Sequence, residues 1–105
     1  MEKIDILRAQ VRASVKPAAI YEQLAEECTE LAKAALKCAR YLRGENPMGK
    51  DDLSWYSELR EEYNDVLNCI KTLDMGEIES EYDQYVKTQR WVERLDREGL
   101  LKEVV

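Results

Sequence analysis

A chain of 105 residues with 22 acidic and 16 basic side chains, a net charge of −6, is sized for one domain. It is too negative to take a nucleic-acid polymer as partner, because phosphate tracts need a basic field. Histidine is absent, which removes His-based triads, most zinc sites and the Glu-x-x-His ligation of di-iron bundles.

Residues 2 to about 14 read as a short amphipathic helix with Ile4, Leu7, Val11 and Val15 on one face. Pro17 disfavours helix at Lys16 and suits the first turn of a new one, so a break is expected there. The second helix runs from about Pro17 to Arg43, rich in Ala and Leu. Gly44 is its expected C′ residue, with Arg40 and Arg43 in the last turn, where cations are favoured. Residues 44–50, with two glycines and a proline, form a loop by composition. It is the one connection placed to close over a ligand, or else a plain solvated link between helices.

The third helix starts near Asp51 or Asp52 and runs to about Met75, with Gly76 as its stop. The fourth runs from about Glu77 to Glu98, with Ile78, Tyr82, Tyr85, Val92 and Leu95 mostly inward, and Gly99 ends it. No strand-like alternation competes with these four helices, so the fold class is all-α, bundle-like, in a single domain. Such wide apolar faces are undersized for one short chain, which points to a homo-oligomer. No stretch is long and apolar enough to span a membrane, and the N-terminus lacks a signal-peptide core. Cys28, Cys38 and Cys69, without C-x-x-C spacing, fit reduced and partly buried thiols of a cytoplasmic protein.

Two acidic quintets stand out: Glu26-Glu27-Cys28-Thr29-Glu30 and Glu61-Glu62-Tyr63-Asn64-Asp65. With about 100° per residue, Glu27 lies about 40° from an apolar centre near Leu31, Glu30 about 100° and Glu26 about 140°. Glu62, Asp65 and Glu61 repeat those offsets, about 40°, 100° and 140°, around Val66. Glu27 and Glu62 therefore point into a seam otherwise filled by Leu, Val and Ala. A single acidic run is ordinarily a solvated face; two with the same spacing and phase are better explained by a shared ligand. Carboxylates brought together in a seam repel unless a cation joins them. Hard oxygen donors without His or Cys suit Mg²⁺, or Mn²⁺.

The order E-E-x-x-E, loop, E-E-x-x-D resembles the all-α nucleoside-triphosphate pyrophosphohydrolases, the MazG-like superfamily. The similarity covers roughly residues 20 to 95 and is strongest at Leu24–Ala32 and Glu61–Leu67. It implies cleavage of an NTP or dNTP between the α and β phosphates, with Mg²⁺ required, giving the monophosphate and pyrophosphate. Carried over by motif, Glu27, Glu30, Glu62 and Asp65 would be the metal ligands. Glu26 and Glu27 would be the catalytic pair, Glu26 binding a further ion or orienting the attacking water; Glu61 would lie outside the ligand set. The resemblance also implies a MazG-type fold that assembles as a dimer or a dimer of dimers.

For the phosphates, one cationic set is Lys87, Arg90 and Arg94, a stripe of the fourth helix opposite Tyr85 and Val92 that reads first as a solvated face and could serve only by reaching a neighbouring site. The other is Lys33, Lys37 and Arg40, which i to i+3 and i to i+4 ion pairing also explains; Lys37 is retained as a phosphate contact. Gln23, one turn before the first quintet, is placed to meet a nucleotide. Asn64 and Asn68 lie away from the apolar centre, where surface or interface roles are expected, and Trp55, Tyr56 and Tyr63 fall on or near it, as core aromatics do. Two other functions remain open: a phosphoribosyl-ATP pyrophosphohydrolase, and a non-catalytic helical dimerisation module.

Overall fold

A computed structural model of the chain describes residues 2–45 and 51–104. The described residues form four helices: α1 (Lys3–Ser14), α2 (Pro17–Leu42), α3 (Asp52–Leu73) and α4 (Glu81–Arg97). No strand occurs among the described residues, so the chain is all-α. It forms two compact units, Met1–Met75 and Gly76–Val105. Residues 46–50, the centre of the connection expected to close over a ligand, lie outside the described residues.

Local chemistry explains most helix boundaries. Lys16, held extended by the proline after it (φ −74°, ψ 149°), separates α1 from α2, and Pro17 takes the first position of α2. At the other end of α2 the chain turns through Gly44 in the left-handed region (φ 79°), with the Glu45 N–H donating back to the Arg40 carbonyl. The side chain of Asp51 accepts from the Ser54 N–H at 2.9 Å and caps α3. α3 ends at Leu73, with Asp74 in the left-handed region (φ 54°), a conformation that Asp tolerates better than most residues.

The last helix starts four residues later than its apolar pattern indicates. Ser80 caps it by accepting from the Asp83 N–H at 3.1 Å, so Ile78 stays outside. The expected inward face of this helix is also corrected. Tyr82 and Tyr85 are 73% and 63% exposed and Val92 is exposed, while Leu95 is half-buried. The second unit holds a single helix, and one helix has no second layer in which to hide an apolar stripe.

In the first unit α2 and α3 form an antiparallel hairpin and α1 lies along α3. The pairing is read from contacts that step in opposite directions. The Cys38 thiol donates to the Trp55 carbonyl, Lys37 meets Glu58, and the Tyr21 hydroxyl donates to the Met75 sulfur. The apolar interior comprises Ile20, Ala34, Trp55 and Val66, with Thr72 buried beside them. Of the three aromatic residues expected in the core, only Trp55 is there; Tyr56 and Tyr63 are exposed. Arg8 donates to the Asn68 side-chain oxygen and Arg12 to the Thr72 carbonyl, which pin α1 to α3.

Candidate metal centre

The stripe that α2 turns toward α3 reads Ile20, Leu24, Glu27, Leu31, Ala34, Cys38, spaced three and four apart. The facing stripe of α3 reads Trp55, Leu59, Glu62, Val66, Leu73. Each is buried or half-buried along its length, and each carries one glutamate in its middle. Antiparallel pairing brings the two glutamates level. One carboxylate oxygen from each of Glu27, Glu62 and Asp65 lies within 4.8 Å of the others. Glu27 and Glu62 are half-buried and Asp65 is exposed, so the cluster lies at the seam with its open side on Asp65.

Electrostatics mark the same point. The Glu62 pKa is raised, first because desolvation penalises its charge, then by the charges of Asp65, Glu27, Glu30 and Glu61. The Cys69 thiol, half-buried in the next turn of α3, is also raised, chiefly by burial and then by Glu27, Asp65 and Cys28. A thiol held protonated is a poor metal ligand. The donors that remain are hard oxygens, a group that could hold a metal ion.

The other expected residues are placed as follows. Gln23 donates from Nε2 to Glu27 Oε1 at 2.8 Å, which orients that carboxylate. Glu26 is exposed, beside Glu27 in sequence. Glu30 is exposed and pairs with Lys33 at 3.4 Å rather than joining the three-carboxylate cluster, although it contributes to the field on Glu62. Lys37 lies 3.9 Å from Glu58. Lys87, Arg90 and Arg94 are exposed on α4, in the second unit. Cys28 is exposed rather than partly buried, while Cys38 and Cys69 are intermediate; all three are free thiols.

Two cavities flank the cluster along α2. Toward the C-terminal end, a polar one of about 240 Å³ is lined by Lys33 and Lys37 together with Glu30, Glu58, Glu61 and Glu62. Four carboxylates against two ammonium groups leave this cavity anionic. Toward the N-terminal end, a cavity of about 320 Å³ lies under α1 and includes Gln23, Asn68 and Cys69. Spacing alone did not expose the partner of Asn68: its side-chain oxygen accepts from Arg8 on α1, 60 residues away in sequence. Compared with protein-family models, curated proteins and solved structures, the chain matches none.

Proposed function

We propose that the chain is a Mg²⁺-dependent nucleoside-triphosphate pyrophosphohydrolase of the MazG-like kind, a homo-oligomer acting on cytoplasmic nucleotides. The observation that carries this reading is the meeting of Glu27, Glu62 and Asp65 within 4.8 Å across the α2–α3 seam. Those three residues would hold the metal, with Glu30 one turn further along α2 completing the set through a partner such as water. A divalent ion bound there would neutralise phosphoryl oxygens and lower the pKa of a water molecule.

The chain's own groups supply the rest. Gln23 fixes the Glu27 carboxylate, so its orientation need not be chosen at the moment of binding. Glu26, in the adjacent position and open to solvent, orients the attacking water and takes its proton. The water oxygen bonds to the α-phosphorus, the bond from that phosphorus to the α–β bridging oxygen breaks, and pyrophosphate leaves. Lys37 and Lys33, which line the anionic cavity, exchange their pairing with Glu58 and Glu30 for contacts to the departing phosphates. Lys87, Arg90 and Arg94 would assist from a neighbouring subunit's α4.

The experiment is pyrophosphate release from a panel of NTPs and dNTPs, with phosphoribosyl-ATP included, in Mg²⁺ and then in chelator. Wild type should turn over at least one nucleotide only with the metal, and Glu27→Gln should lose about 100-fold or more. Turnover that survives in that variant rejects the site, and no turnover on any nucleotide leaves a helical association module.

A further inference from the structure

The cavity under α1 differs in kind from the anionic one. Its walls include Val11, Val15 and Ile20, and its polar side chains include two amides, Gln23 and Asn68. Both amides are locked by charged neighbours. An ionised carboxylate only accepts, so Gln23 must turn its nitrogen to Glu27, at 2.8 Å, which leaves its carbonyl oxygen to accept. A guanidinium only donates, so Asn68 must turn its oxygen to Arg8, at 3.0 Å, which leaves its nitrogen to donate. Neither amide can flip without breaking a charge-assisted bond. One acceptor and one donor in set positions on an aliphatic-walled hollow match the edge of a nucleobase, where donors and acceptors alternate.

Position agrees with chemistry. Gln23 lies one turn, about 6 Å, before Glu27 on α2, and Lys33 lies about 9 Å beyond it. In a nucleoside triphosphate the base and the β and γ phosphates extend in opposite directions from the α-phosphorus. Setting that phosphorus at the carboxylates sends the phosphates toward Lys33 and Lys37 and the base under α1. A volume of about 320 Å³ is at the small end of the range of about 300–1,000 Å³ for small-molecule sites, enough for a base but not for a whole nucleotide.

We propose that the cavity between α1 and the α2–α3 hairpin receives the substrate's nucleobase, and that Gln23 and Asn68 read its edge. This rests on the pyrophosphohydrolase reading for its substrate class. Asn68 is a specificity residue that need not contact the reacting phosphate. α1 is then the wall that makes the enzyme selective, held on α3 by the same Arg8 that orients the reading amide.

The test uses full-length protein, Mg²⁺ and non-hydrolysable α,β-imido analogues of the four common dNTPs, titrated calorimetrically, with base-free ribose 5-triphosphate as reference. Val15→Phe fills the cavity and should weaken the nucleotide analogues about tenfold while leaving ribose 5-triphosphate unchanged. Asn68→Asp keeps the oxygen for Arg8 and turns the donor into an acceptor; it should reorder the preference among bases by about tenfold. The Mg²⁺ half-saturation should stay at the wild-type value in both. Equal losses for the base-free compound, or an unaltered order of bases in both variants, would overturn the assignment. The two variants alter different elements, so misfolding of one leaves the other to decide. If wild type binds the analogues with base selectivity yet releases no pyrophosphate from any nucleotide, the hydrolase reading fails and the base pocket stands. If it hydrolyses nucleotides and neither variant changes selectivity, the reverse holds.

Discussion

Glu62 is a carboxylate placed where its charge is disfavoured, by desolvation and by Asp65, Glu27, Glu30 and Glu61. Its folded pKa lies above the unfolded one, so the folded chain holds the proton more tightly. The group therefore leaves metal-free stability untouched below the ordinary carboxylate range. It lowers stability progressively as pH rises from there through the folded value, and the full penalty remains above it. Thermal melts of chelated protein from about pH 4 to pH 8 should show that decline, and Glu62→Gln should flatten it and melt higher than wild type at neutral pH. Adding Mg²⁺ should reverse the order, because only the wild type gains binding energy in the folded state. A wild type that melts identically with and without chelator would remove the proposed metal. Helix phase made the pairing of Glu27 with Glu62 readable, since direction about a helix axis follows from spacing alone. It did not separate Glu30 from Asp65, which share a nominal offset of about 100°. Only Asp65 joins the cluster, because which side of a seam opens depends on how two axes cross, and residue counting carries no information about that.

At the scale of the element, ends were more readable than faces. Pro17, Asp51 and Gly44 act where their chemistry places them, since caps and proline restrictions are local. α4 starts later than the apolar pattern indicates because Ile78 extends that pattern while Ser80 provides the cap. Ser80→Ala should cost about 1 kcal/mol, read as faster amide hydrogen exchange in the first turn of α4. Unchanged protection there would show that the helix does not depend on that cap. Faces depend on neighbours, as Trp55, Tyr56 and Tyr63 show: one is 1% exposed and the others lie in solvent, though all fall on or near one apolar arc. Trp55→Ala should destabilise the hairpin unit by about 3–5 kcal/mol in urea melts. A loss under about 1 kcal/mol would mean that the hairpin closes around the gap.

Taken whole, the hairpin unit buries few apolar side chains for its length. Leu36, Leu53, Tyr56 and Tyr63 lie open along α2 and α3. A hollow of about 560 Å³ at the loop end of the hairpin is lined by Tyr41, Trp55 and Leu59, with the exposed Leu42, Leu53 and Tyr56 around it. Exposed apolar area of that kind on two adjoining helices is characteristic of an association surface, and a second hairpin laid against it would complete a four-helix bundle of the usual geometry. In the proposed homo-oligomer this surface also sets the stability of each subunit, so melting should shift upward with protein concentration. Leu53→Lys places a charge in the rim without touching Glu27, Glu62 or Asp65. It should raise the dissociation constant of the oligomer about 30-fold or more, seen as a shift toward monomer in sedimentation velocity. Wild type that sediments as a monomer at every concentration, with a melting point independent of concentration, would show that these side chains are simply tolerated in water and that the metal centre belongs to a single chain.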